Sequence, residues 1–97
     1  MTPADRCIEL ACSYYNVTRV AMIRPNQSRN ASNARSLAAY HLKVTFLMTN
    51  EEVAWELERD GSQVSRYLRN VEDLREDKAF DLVLQAQEET LKREFKL

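Results

Sequence analysis

The stretch ERDGSQVSRYLRN, residues 58–70, gathers Arg59, Arg66 and Arg69 around a short polar turn and sets Ser62, Gln63 and Ser65 among them. Arginine offers its N–H donors in a flat fork that fits a phosphate or the O6/N7 edge of guanine. Ser62 and Gln63 are short and carry donors as well as acceptors, so they can meet base edges or phosphate oxygens. At helical spacing Ser62, Ser65, Arg66 and Arg69 share one face. The chemistry of this set is recognition of an anionic polymer. The plainer alternative is a solvated helix face whose arginines pair with nearby Glu and Asp.

Nothing in the chain is arranged for bond making. One His and two Cys are too few for a zinc cluster. His41 has no partner cluster and is expected to be a packed or boundary side chain. With a single Gly the chain holds no Gly-rich phosphate loop. No nucleophile–base pair and no paired carboxylates stand in a recognisable setting. The expectation is a non-enzyme, with no catalytic residues, metal, cofactor or small-molecule substrate.

The elements that must position the arginines follow from composition. The chain has 97 residues, 44% hydrophobic and 30% charged, with one Gly and two Pro. That is enough apolar material for one small core, and far too few turn residues for a sandwich or barrel. The prior is a single all-α domain. No apolar run approaches the length of a membrane span, so no membrane partner and a cytoplasmic location are expected. Formal charge is −1 overall but uneven: residues 1–50 hold six Lys/Arg against Asp5 and Glu9, whereas residues 51–97 hold eight against thirteen acids. A near-neutral chain argues weakly against nucleic acid, but a local basic face is what such binding needs.

Six helical segments are legible. Thr2 and Pro3 open the first, and Cys7, Ile8, Ala11, Cys12 and Tyr15 recur at helical spacing. Cys7 and Cys12 sit about 140° apart on that helix, so they cannot pair there and read as small core or boundary residues. Tyr14 and Tyr15 are expected at the core and its boundary. Thr18 caps a short helix to Ile23. RPNQSRNASN, residues 24–33, reads as a loop. Ser32 is expected to cap a long helix with Leu37, Tyr40, His41, Val44 and Leu47 inward. Thr49 and Glu52 form a capping box before Val53, Ala54 and Leu57. Asp60 is placed to cap a helix whose inner stripe is Val64, Tyr67, Leu68, Val71 and Leu74. Asp77 caps the last helix, about 78–96, with Phe80, Leu84, Gln87, Leu91 and Phe95 on one face and Val83 beside it. This stripe either packs back across the bundle or pairs with a second copy as a homodimer; intramolecular packing is the simpler case. Trp55 is expected to pack near the helix junction, with an exposed contact as the alternative.

Residues 50–69 fit a helix-turn-helix, with Ala54 as the small residue at the crossing and Val53, Leu57, Val64 and Tyr67 or Leu68 facing inward. The wider chain, residues 7–75, resembles the C-terminal DNA-binding domain of the bacterial replication initiator DnaA. ACSYYNVTRVAMI is similar to that family's first helix and short second helix. RPNQSRNASNARSLAAYHL resembles its basic loop running into a long helix, and LMTNEEVAWEL resembles the helix that follows. RDGSQVSRYLRNVEDLRED is similar to the signature R-D-H-[ST]-T-V and the helix after it. The resemblance covers about seven-tenths of the chain, and the RD-x-S-x-V element is its most specific part. Gly61 stands where the signature has His, Gln63 where it has a second Thr, and Glu58 where the family has Gly.

The resemblance implies an all-α bundle of about six helices containing a helix-turn-helix, DnaA C-terminal-domain-like (TrpR-like), in a stand-alone small protein. It implies a sequence-preferring double-stranded DNA-binding protein, a small regulator of transcription or replication, with the signature helix in the major groove and Arg29 reaching a minor groove. The candidate DNA-binding residues are Arg29, Arg35, Arg59, Asp60, Ser62, Gln63, Ser65, Arg66 and Arg69. The alternative is a protein-interaction module that keeps the fold but does not bind DNA, using Trp55 and the last helix. DNA binding requires Arg24, Arg29, Arg35, Arg59, Arg66 and Arg69 to share one continuous face.

Overall fold

A computed structural model describes residues 1–25 and 28–97, so Asn26 and Gln27 of the expected loop lie outside the described residues. The elements are α1 (Pro3–Tyr15), α2 (Arg19–Ile23), α3 (Arg29–Tyr40) running into a π-helical turn (His41–Thr45), α4 (Asn50–Leu57), a 3-10 turn (Gly61–Gln63) leading into α5 (Val64–Leu74), and α6 (Lys78–Glu94). The described residues form helices and connecting turns without a strand. No described helix is long and apolar enough to cross a membrane.

Local chemistry starts most of these helices. Thr2, Thr18, Asp60 and Asp77 each accept a backbone N–H of the first turn, and Thr49 and Glu52 complete the expected capping box. One start differs: Ser28, not Ser32, caps α3, its hydroxyl accepting the Ala31 N–H at 3.2 Å. The loop therefore ends four residues earlier than its polar composition predicts. The first turns of α3 are lined inward by Ala31, Ala34, Leu37 and Ala38, all fully buried.

α3 is the central helix, packed between α1 and α5 and touching α2 and α4. Ala34, Ala38 and Ala39 let its neighbours approach closely, and Ile8, Leu37, Leu42, Val53, Leu57, Val64, Val71 and Leu84 fill the core around it. Cys7 and Cys12 are buried free thiols in that core. Tyr14 is 41% exposed, at the rim rather than in the core, where its ring meets Phe80 edge-on at 5.9 Å.

The π-helical turn corrects the expected stripe of the long helix. It takes one more residue per turn than an α-helix and shifts the phase, so Leu42 and Thr45 turn inward while Val44 is 45% and Leu47 82% exposed. Leu47 ends the turn in the left-handed region at φ 57, with the Met48 N–H reaching back to the Leu42 carbonyl. Asn16 and Glu58 close α1 and α4 in the same way, at φ 54 and 55. Glycine usually fills such positions, yet Gly61 has no positive φ, and a Cβ placed on it would meet nothing within 4 Å.

α6 folds back on the bundle. Phe80, Leu84 and Leu91 are buried, and Phe95 stacks edge-on against Phe46 at 5.3 Å. Arg6 holds Glu94 through two bonds of 2.8 and 2.9 Å, and Arg75 holds Asp81 at 2.7 Å. The apolar stripe is thus consumed within the chain, leaving Leu82 as the exposed large apolar residue of this helix.

His41 is fully buried, its Nε2 at 2.9 Å from the Gln87 Oε1, while the Gln87 amide donates to the Leu10 carbonyl at 3.4 Å. That network assigns the proton to Nε2 and leaves Nδ1 buried without a partner among the described residues. Burial pushes the imidazole below its ordinary value of 6.5, against a smaller opposing effect of Gln87. A group whose folded pKa is depressed contributes stability above its unfolded pKa and loses it as pH falls. The urea midpoint is therefore expected to hold above pH 6.5 and to fall as pH drops below it. His41 is the only His in the chain, so His41→Gln should flatten that limb of the profile. A midpoint constant down to the carboxylate range in the unaltered chain would rule the effect out.

Candidate nucleic-acid interface

The turn Glu58–Asp60 and the start of α5 set the polar side chains. Asp60 accepts the Ser62 N–H at 3.1 Å and starts the 3-10 turn. Val64, Tyr67 and Val71 are buried, so α5 is anchored on one face, and Ser62, Ser65, Arg66 and Arg69 stand exposed on the other. Gln63 lies between the two faces, half-buried. The Tyr67 hydroxyl donates to its Oε1 at 2.9 Å, which fixes the amide and leaves its N–H groups to donate outward.

Between the start of α3 and α5 runs a groove of ≈ 1060 Å³. Arg29, Ser32, Asn33 and Ser36 line one wall, Gln63, Arg66, Arg69, Asn70 and the carboxylate of Asp73 the other, and the turn residues Glu58, Arg59 and Asp60 line it as well. The Asn70 amide crosses between the walls, donating to Asn33 Oδ1 at 3.0 Å and Ser36 Oγ at 2.9 Å. Arg29 and Asn33 are four residues apart on α3, as are Arg66 and Asn70 on α5. Each wall therefore carries an arginine one turn before an asparagine. Asn33, Ser36 and Asn70 were not among the sequence candidates; the repeated Arg-x-x-x-Asn spacing was the available signal.

The arginines divide by what they touch. Arg35 is 7% exposed, and its guanidinium donates to the Met22 carbonyl at 2.7 Å. Burial, and then the neighbouring Arg59, press it below the ordinary guanidinium value. Arg59 donates to the Ile23 and Arg24 carbonyls at 2.6 and 2.9 Å. Both therefore cap the C-terminal end of α2, where cations are favoured, and tie it to α3 and to the turn. In this structure their guanidinia are thus engaged by backbone carbonyls beneath the groove that both residues line. Arg29, Arg66 and Arg69 are exposed, and among the described residues they carry no ion pair. Elsewhere on the surface Arg6, Arg19 and Arg75 are paired to carboxylates, whereas Arg93 on α6 is exposed and has no ion pair among the described residues. Of the six arginines required on one face, Arg29, Arg35, Arg59, Arg66 and Arg69 line this groove; Arg24 contributes its carbonyl to the structure below it.

Trp55 departs from the expected packing. Val53, Ala54 and Leu57 take the inner face of α4, which turns Trp55 outward, and its side chain is 82% exposed.

Glu58 closes α4 with φ 55 and ψ 47 and also lines the groove. A non-Gly residue there costs roughly 1 kcal/mol in backbone strain. Glu58→Gly is expected to raise the melting temperature by about 4–8 °C, the shift that 1 kcal/mol gives a domain of this size. It also removes a carboxylate from the groove. An unchanged or lower melting temperature would show that the Glu58 side chain makes a stabilising contact larger than the strain.

No family model, curated protein or solved structure matches the chain.

Proposed function

We propose that the chain is a helix-turn-helix domain, of the kind found at the C-terminus of the replication initiator DnaA, that binds double-stranded DNA with some sequence preference. It catalyses nothing and acts by occupying a site near a promoter or origin. The observation that supports this is the set of three exposed guanidinia with no ion pair among the described residues, Arg29 on one wall and Arg66 and Arg69 on the other, along a single polar groove. In this reading the start of α5 enters the major groove, with Ser62, Gln63, Ser65, Arg66 and Arg69 toward the bases and phosphates. The polar groove straddles the sugar–phosphate ridge, and Arg29 reaches the minor groove beyond it. Arg35 and Arg59 hold the α2 end and the turn in place, and Asp60 acts as a cap.

Fluorescence anisotropy with random, initiator-box and scrambled-box duplexes over a salt series tests the reading. Affinity should fall with salt at a slope equivalent to roughly three to six phosphates. Absence of binding to every duplex at low salt would overturn it. Arg29→Ala is expected to weaken binding about tenfold on duplexes with an A/T-rich flank and less on G/C-rich flanks, because a narrow minor groove attracts arginine. Equal losses on all flanks would rule out minor-groove insertion.

A protein-binding module is the second reading, and the exposure of Trp55 favours it. Large aromatics left in water concentrate at protein contacts.

A further inference from the structure

We propose that two copies of the chain pair reciprocally, each seating the Trp55 face of α4 in the arginine groove of the other. The outward face of α4 carries Glu51, Glu52, Trp55 and Glu56. An indole 82% exposed on a helix otherwise well packed is a strong anchor for a contact. Three carboxylates share that face with it, which disfavours nucleic acid and favours a cationic partner. The indole face itself attracts a guanidinium. The described structure carries that complement: a groove in which Arg29, Arg66 and Arg69, with no ion pair among the described residues, stand with Arg35 and Arg59 against the carboxylates of Glu58, Asp60 and Asp73, a net positive lining.

The two surfaces adjoin, because Glu58 ends α4 and also lines the groove. Adjoining complementary surfaces can be related by one twofold axis, so that every contact is made twice and the assembly closes as a dimer. The contact is small and dominated by exposed charge, so the pair is weak and salt-labile. Where the groove reads DNA, as proposed above, the dimer is the closed form, and duplex and partner compete for the same arginines. That regulatory consequence rests on the DNA reading; the pairing itself does not.

Sedimentation equilibrium of the full chain tests the pairing. A monomer–dimer equilibrium is expected at about 20 mM salt and its loss at about 300 mM, where charges are screened within a few ångströms. Trp55 is the only Trp in the chain, so its emission should shift to the blue as the dimer forms. Trp55→Ala and the double variant Arg66→Ala/Arg69→Ala should each weaken association roughly tenfold or more, as loss of an anchor does. Mixing those two variants should restore part of it, since the mixed dimer keeps one intact Trp-to-groove contact. All these side chains are exposed, and thermal melts of each variant check that the fold is kept. A chain monomeric at every concentration at low salt would overturn the proposal. So would a dimer indifferent to salt and to these variants but broken by Leu82→Asp, which would place the interface on α6. A dimer with the expected properties in a chain that binds no duplex supports the pairing and overturns the DNA reading alone.

Discussion

Replacing Arg66 and Arg69 together by alanine is expected to weaken duplex binding by roughly 100-fold or more at low salt, at 1–3 kcal/mol for each base-edge or phosphate contact. The slope of log affinity against log salt should fall by about two if both hold phosphates, because each phosphate neutralised releases about one counterion. Stability should change little, within about 0.5 kcal/mol, since both side chains are exposed and lack an ion pair among the described residues. The single variants separate the roles. A base reader flattens the preference among duplexes, whereas a phosphate holder lowers all affinities alike. Anisotropy on a panel of duplexes, with circular dichroism melts in parallel, reads each of these. Wild-type affinity and slope in the double variant would leave the groove without a nucleic-acid role and turn attention to the Trp55 face.

Five of the six side-chain caps among the described residues, each set by neighbours within a turn, are legible in the sequence. The caps at Thr2, Thr18, Thr49, Asp60 and Asp77 need only a side-chain oxygen two or three residues before its N–H, and all five form. The inner stripe of α5 and that of α6 follow from regular periodicity. The start of α3 is not legible because its first inward residues are Ala31 and Ala34. Alanine carries little hydrophobic signal, so the polar run looked like a loop up to Ser32. A regular 3.6-residue period puts Val44 and Leu47 inward, but the π-helical turn His41–Thr45, whose hydrogen bonds span one residue more, breaks that period. The sequence holds no local sign of that π turn. The left-handed Glu58 is different: its place at the end of α4 was visible as a departure from the Gly of the resembled family, and only the backbone shows that the strain is retained.

The site was legible in part, for a physical reason. An arginine's partners are set by which backbone carbonyls the fold brings near it. The Arg35 guanidinium meets a carbonyl 13 positions away and Arg59 one 36 positions away. Neither contact has a spacing rule, so both residues looked as available as Arg66 and Arg69. Outward position on α5 was predictable from the opposite, apolar face. Trp55 shows the limit of composition: aromatic residues are most often buried, but α4 had already filled its inward positions with Val53, Ala54 and Leu57.

Arg35→Met separates a residue that builds the interface from one that touches the ligand. The substitution keeps the aliphatic stem but leaves the Met22 carbonyl without its 2.7 Å donor. An orphaned buried acceptor costs about 1–3 kcal/mol, and unloading a buried guanidinium close to Arg59 offsets part of that. The net expectation is a loss of about 2 kcal/mol, or a melting temperature lower by roughly 8–16 °C. Arg35→Ala adds lost packing and should lose about 3–4 kcal/mol. Freed from Arg35, the α2 end is no longer tied to α3, whose first turn carries Arg29, so duplex affinity at a temperature where the variant is folded should drop by a few-fold to tenfold. The salt slope should stay that of the unaltered chain, because no phosphate contact is removed. The opposite pattern, unchanged stability with the slope reduced by about one, would mean that Arg35 leaves its carbonyl and reaches phosphate in the complex. Its proposed role as a positioning residue would then have to be given up.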